Sequence, residues 1–333
     1  MSTLFVWAVV AVVAALLFFA LHIVARKYAE NQVLRDKGIP KPPVTGVPYP
    51  DIDADFFPGT TTSRDGTYQL EYLLVLNRKN RSSKNLLVFC QGRVSTIETG
   101  YHFLPFLMAA GHHVLMFNYR GVGTPGWATF ETVCEDGVNA HLFGQKVVSH
   151  LLDGNWGAPS EDQSTSTLSA LSRTGLLGYS LGGWIATYAA AKSFGERKQR
   201  AGVLALMDTG ADMYEVLVRQ AFVVRLLMPS VLLKPRMSNL AIAQMPYPET
   251  KLVAHGELDA PLYPTVDDAG NPKMGFGFPL SDGKRLWAAA PGILSRFFQL
   301  RNSSHKDMDI KDPATLQEFF TAIYIALDKQ SVQ

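Results

Sequence analysis

The chain has 333 residues, 47% hydrophobic and 18% charged, with 31 basic side chains against 29 acidic ones. This is a globular balance, and with no basic stripe it excludes nucleic acid as a partner. Cys90 and Cys134 are too few for a disulfide framework and stand at no metal-ligand spacing, so neither a metal nor a cofactor is implied.

Leu4–Val24 carries no formal charge, and His22 is its one strongly polar side chain. About 21 residues at ~1.5 Å each span ~30 Å, the hydrocarbon thickness of a bilayer. A cleavable signal peptide has a basic n-region and a shorter apolar run ending in small residues. Here nothing basic precedes the run, and Arg26 and Lys27 follow it directly. Residues 1–25 therefore read as a single-pass transmembrane anchor. Arg26, Lys27, Arg35, Lys37 and Lys41 put the remainder on the cytoplasmic side by the Lys/Arg bias. Residues 26–67 read as a linker leading to a folded domain over 68–330. Within the linker, Pro40, Pro42, Pro43, Pro48 and Pro50 exclude a helix. Asn80-Arg81-Ser82 and Asn302-Ser303-Ser304 match the glycosylation pattern, which chance often produces and which does not outweigh the charge bias.

From residue 68, short apolar β-type runs alternate with longer helical patterns, the signature of an α/β fold with a mostly parallel sheet. The expected strands are Gln69–Leu76, Leu86–Cys90, Val114–Asn118, Gly175–Gly178, Val203–Met207, Leu252–His255 and Arg296–Leu300. Expected helices are Thr99–Ala110, Glu131–Leu152, Leu181–Ser193 and one opening at Asp312-Pro313. Leu316, Phe319, Phe320 and Ile323 give that last helix one buried face. The Ser- and Thr-rich stretch Ser160–Ser172 reads as a solvated insertion.

Gly178-Tyr179-Ser180-Leu181-Gly182 lies between an apolar run and an Ala-rich helix. A G-x-S-x-G box in that setting is a nucleophile elbow: the serine occupies a sharp strand-to-helix turn, and side chains at the glycines would collide with both elements. The helix opening at Leu181 turns its positive dipole end toward a developing oxyanion. Gly121-Val122-Gly123-Thr124-Pro125-Gly126 also spells the dinucleotide fingerprint. Pro125 and Trp127 do not open a glycine-packed helix, and no acidic residue ends a strand about 20 residues on, so this reads as a tight turn.

From about residue 68 to 328 the chain resembles the α/β-hydrolase superfamily. Leu87–Arg93 looks like its third strand and oxyanion loop, with Gln91 where histidine is commoner. Phe117–Gly123 resembles the fourth-strand turn, Leu252–Asp259 the acid-bearing loop, and Asn302–Asp307 the place of the histidine. The resemblance implies Ser180 as nucleophile, Asp259 as acid and His305 as base, in the family's chain order. It also implies an oxyanion hole made by the backbone N–H groups of Leu181 and Arg93. Asp208, one strand earlier, competes for the acid role, while His255 reads as structural. About 209–249 falls where the superfamily carries a helical cap insertion. Met213–Met228 is apolar there, and Arg219, Arg225, Lys234 and Arg236 suit an anionic membrane surface.

The implied activity is a membrane-anchored serine esterase or lipase, acting on a lipid or other acyl ester through an acyl-serine intermediate. A peptidase or thioesterase of the same fold uses the same residues. A catalytically silent hydrolase-fold scaffold at the membrane is the reading from another class.

Overall fold

The computed structural model describes residues 3–34, 52–92, 96–121, 128–160, 173–197, 201–220, 238–240, 244–245, 250–259, 262–266, 272–290 and 295–330. The expectations for Arg93, Val122–Trp127, residues 161–172 and 221–237, and the prolines from Pro40 to Pro50 lie outside these residues.

An eight-stranded sheet forms the centre, in the order β1-β2-β4-β3-β5-β6-β7-β10. Its strands are β1 (Ala54–Thr62), β2 (Gln69–Asn77), β3 (Leu86–Cys90), β4 (His113–Phe117), β5 (Thr174–Tyr179), β6 (Val203–Met207), β7 (Thr250–Gly256) and β10 (Arg296–Leu300). Strand β2 runs antiparallel to both neighbours, and every other adjacent pair is parallel. A separate hairpin joins β8 (Leu262–Val266) to β9 (Pro272–Phe276).

Continuous apolar runs are what a sheet covered on both faces requires, and alternate residues feed two cores. Leu86, Val88 and Cys90 of β3 face one core, with Leu176 and Leu204. Leu87 and Phe89 face the other, with Leu177 and Ala205. The first core is closed by α4 (Phe130–Leu152) and α5 (Leu181–Arg197), through Phe130, Val133, Trp184 and Ile185. The second is closed by α3 (Leu104–Ala109) and α9 (Pro313–Gln330), where Leu316, Phe319, Phe320 and Ile323 are all buried. Thr129 caps α4 in a reciprocal box with Thr132, which satisfies two first-turn donors.

The sequence misplaced three features. The expected helix over Thr99–Ala110 is broken into α2 (Ile97–Gly100), a 3-10 turn (Tyr101–Phe103) and α3. Pro105 in the first turn of α3 supplies no N–H to continue an earlier helix. Strand β1 lies within the expected linker. Its half-exposed pattern and Pro58 mark a sheet edge, so its hydrophobic signal is weak. Helix α1 (Thr3–Leu34) extends well past the apolar run. Three further helices are α6 (Met213–Gln220), α7 (Leu280–Ala289) and α8 (Met308–Lys311). Of the expected cap, α6 packs inward through Met213, Val216 and Leu217. The Asn80 side-chain amide donates to Gly111 O at 2.7 Å and Tyr324 Oη at 2.9 Å, an internal use of the nitrogen that glycosylation would consume.

Three buried imidazoles stay neutral in the fold. His112 donates from Nε2 to Phe320 O at 2.9 Å. His113 accepts from Asn77 N at 3.0 Å and donates to Ser83 O at 3.1 Å. His141 lies 3.1 Å from Ser193 Oγ. Burial pushes each down to about 4 from the ordinary 6.5. A depressed folded value means stability is present above pH 6.5 and is lost as pH falls toward 4. Asp208, pushed up to about 6 by burial, and Asp136, also raised, work in the opposite sense, but the histidines outnumber them. The urea midpoint, read by tryptophan fluorescence, should therefore fall between pH 7.5 and pH 5. An equal or higher midpoint at pH 5 would refute neutral burial of these rings.

Candidate active site

The carboxyl ends of parallel strands gather at one sheet edge, and three of them carry the expected residues. Ser180 follows β5, Asp259 lies just beyond β7, and His305 sits in the loop after β10. The structure joins them in one chain. His305 Nε2 lies 2.9 Å from Ser180 Oγ, and His305 Nδ1 lies 2.9 Å from Asp259 Oδ2. With Nδ1–H donated to the carboxylate, Nε2 is left to accept the serine proton. All three residues are at least nine-tenths buried.

The turn that presents Ser180 is strained. Its φ is +55°, in the left-handed region that L-residues with a side chain seldom occupy. Packing holds it there. A Cβ on Gly178 would strike the Gly182 and Gly183 backbone, and one on Gly182 would strike Cys90 O. Ser180 N donates to Met207 O at 3.0 Å, which ties the turn to the end of β6. Leu181 opens α5, so its backbone N–H is one of the first-turn donors with no acceptor inside the helix. Gln91, at the position where the superfamily more often has histidine, is fully buried. Its Nε2 donates to Phe117 O at 3.0 Å, and its backbone carbonyl accepts from Tyr119 Oη at 2.9 Å. It therefore fastens the end of β3 to the end of β4.

Two aromatic neighbours of the imidazole were not singled out in the sequence. Tyr179 stacks on His305 with ring centroids 5.3 Å apart, and its hydroxyl donates to His305 O at 2.5 Å. Phe278 meets the same ring edge-on at 5.4 Å. Tyr179 occupies the variable place of the G-x-S-x-G box, where the pattern gives no sign of its use. Phe278 follows the hairpin, in a stretch with no motif. These contacts bury the His305 imidazole, and burial pushes it below its ordinary value of 6.5, with the charge of Asp208 acting the other way. The ring is thus held neutral, the state a general base needs.

Behind Asp259 lies a second carboxylate. Asp208 is fully buried, with φ +41°, and its Oδ1 accepts Gly256 N–H at 2.6 Å. His255 sits between the two acids, its Nδ1 3.6 Å from Asp208 Oδ1 and its Nε2 3.8 Å from Asp259 Oδ2. The Nε2–H is donated to Phe278 O at 3.0 Å, which gives His255 the structural place expected from the sequence. Asp208, His255 and Asp259 bring possible ligand atoms within 4.8 Å of one another. However, Asp259 Oδ2 already serves His305 and Asp208 Oδ1 serves Gly256, so these atoms are committed to hydrogen bonds. Between Asp259 and β10 the chain forms the β8–β9 hairpin and α7.

A model of the alpha/beta hydrolase family matches residues 87–325. Solved structures share this architecture. An esterase from Pyrobaculum calidifontis is 14% identical, with a TM-score of 0.58, over 95% of this chain and 92% of its own. An esterase from Pyrococcus furiosus is 15% identical, with a TM-score of 0.53, over 87% of this chain and 99% of its own. Brefeldin A esterase, a bacterial homologue of human hormone sensitive lipase, is 17% identical, with a TM-score of 0.57, over 95% and 86%. At these identities the likeness is one of fold. Comparison with curated proteins returns no match.

The geometry ranks the two acids. Asp259→Asn should lower kcat by about 10³-fold or more, because the amide no longer orients Nδ1–H. Asp208→Asn, which keeps an oxygen for Gly256 N–H, should cost less than about tenfold. Steady-state kinetics of the two variants checks this, and the reverse ranking would move the acid to the end of β6.

Proposed function

The chain belongs to the alpha/beta hydrolase family, and on that premise we propose that it is a membrane-anchored serine hydrolase cleaving acyl esters. The observation that carries this reading is the continuous Ser180–His305–Asp259 hydrogen-bond chain at a strained strand-to-helix turn.

In the proposed reaction His305 Nε2 takes the Ser180 proton as Oγ attacks the ester carbonyl. The tetrahedral oxyanion is met by Leu181 N–H at the positive end of α5, with Arg93 N–H as the expected second donor. Collapse expels the alcohol, which receives the proton from His305, and leaves an acyl-Ser180 ester. Water then attacks that ester with His305 as base, and release of the acid restores the serine. Asp259 keeps the imidazole in the tautomer that accepts from serine and stabilises it once charged.

A lipid ester is the favoured substrate class. One helix of the described chain has the length and composition to cross a bilayer, over Val10–Lys27, and only 6% of that stretch is buried. An apolar helix packed in a core would be mostly buried, so exposure favours the anchor over that alternative. The Arg26 and Lys27 flank favours a cytoplasmic catalytic domain. Solved esterases of the same fold favour ester hydrolysis over peptidase or thioesterase chemistry.

With a short soluble ester, Ser180→Ala and His305→Ala should each lose about 10³-fold or more in kcat with the fold intact. A loss below about tenfold in either would remove that residue from the proposed mechanism. Because burial holds the imidazole pKa down, the acidic limb of kcat/KM should have its midpoint below pH 6.5. A midpoint above 6.5 would contradict a desolvated base.

A further inference from the structure

An anchored domain can in principle turn any face to its membrane, and the end of α1 selects one. Glu30 Oε1 accepts the backbone N–H of Phe130, the first residue of α4, at 3.4 Å. The same oxygen accepts from Arg26 Nε at 3.2 Å. Helix α4 follows β4, so its first residue lies at the carboxyl edge of the sheet, the edge that holds Ser180, Asp259 and His305. A carboxylate against the positive end of a 23-residue helix is a favourable seat. His22, Ala25 and Glu30 are buried, whereas Trp7, Val10, Leu16, Leu17 and Val24 are each at least half exposed. The helix therefore touches the domain through His22, Ala25 and Glu30, and its earlier turns lie away from it. Lys27, which closes the apolar window, lies only ~4.5 Å along the axis from Glu30.

A second observation falls on the same edge. Outside α1, the exposed large hydrophobics among the described residues are Met245, Leu258, Trp287, Ile310 and Ile325. Two of them flank the site. Leu258 immediately precedes Asp259 and is 58% exposed, and Ile310, in the short helix after the His305 loop, is 74% exposed. Lys306 and Lys311 are exposed beside them, interspersed with Asp307 and Asp309, so the apolar side chains rather than net charge define the patch. Ile325 belongs to the opposite edge, where it lines a groove with Thr250 and Arg296, the first residues of β7 and β10.

We infer that the carboxyl edge of the sheet rests on the bilayer, with Leu258 and Ile310 as its apolar contacts, and that Ser180 draws its acyl ester from the lipid leaflet there. This rests on the proposed reading of α1 as a membrane anchor. The arrangement spares an acyl chain from crossing water between leaflet and nucleophile, because the anchor and the site share one edge. It also explains why two large apolar side chains stay exposed, one beside the acid and one in the short helix after the loop that holds the base.

The test uses the full chain in phosphatidylcholine vesicles containing a nitroxide-labelled lipid. A fluorophore is attached through Ile310→Cys or, separately, through Ile325→Cys. Native Cys90 and Cys134 are buried, so labelling is selective. Retained hydrolysis of a soluble ester shows that each labelled protein is folded, and resistance to alkaline carbonate extraction reports insertion. The inference predicts quenching at 310 at least about threefold that at 325. Insertion with equal or reversed quenching would overturn the orientation while leaving the anchor standing. Failure to insert would overturn the anchor and the orientation with it. A second variant gives the answer without a probe: Ile310→Asp should lower turnover of vesicle lipid about tenfold while leaving the soluble ester unaffected. An equal effect on both substrates would contradict the inference.

Discussion

The structure depends on how tightly β5 and α5 close around Ser180. A left-handed serine is unfavourable by itself, and it persists because the space on either side admits no Cβ. Gly178 lies against the α5 backbone and Gly182 against the end of β3. Gly183, next along, lies against Thr209 after β6. The ends of β3 and β5 thus meet α5 at backbone contact distance beside a single hydroxyl, with the Thr209 side chain closing the third side. Those contacts give the turn its shape, and the shape places Oγ beside His305 and leaves Leu181 N–H without an acceptor inside the helix. The cost of the turn is distributed over a core in which β3, β5 and β6 are fully buried.

The rest of the site is built to keep one imidazole neutral and still. Tyr179 acts from the serine's own turn, covering the ring and holding the main-chain carbonyl of His305. The placement of the base is therefore coupled to that of the nucleophile through one side chain. Phe278 closes the ring's edge and, through its carbonyl, fixes His255 between Asp208 and Asp259. Two buried carboxylates in this neighbourhood are tolerable because each has a donor: His305 for Asp259 and the Gly256 amide for Asp208. The same edge carries the exposed Leu258 and Ile310 and receives Glu30 of α1 at Phe130, so the triad and this helix contact fall on one side of the sheet.

Much of this was legible in the sequence where the physical signal was strong. Strands Leu86–Cys90 and Val203–Met207 match the apolar runs residue for residue, since a doubly covered strand leaves no polar gaps, and the sheet-edge strand Arg296–Leu300 keeps the same bounds although it is only partly buried. Ser180 was legible because glycine is compulsory two places either side of it. His305 and Asp259 followed only through the resemblance, since nothing in a loop aspartate or histidine by itself marks a catalytic role. The edge strand β1 was lost because only one of its nine residues is buried. The hairpin β8–β9 was lost because Asp267-Asp268-Ala269-Gly270-Asn271 dominates a stretch with little alternation. Tyr179, Phe278 and the Glu30 contact with α4 had no sequence signal. Each depends on residues distant in the chain being brought together, which local periodicity does not encode.

The central claim is that Ser180, activated by His305 and Asp259, becomes acylated. It is tested most directly by treating the full chain with an active-site-directed fluorophosphonate and locating the adduct by peptide mass spectrometry. The account predicts one stoichiometric adduct on Ser180, formed much more slowly in the His305→Ala protein. An adduct on any other residue, or an inert wild-type protein that is otherwise folded, would contradict it.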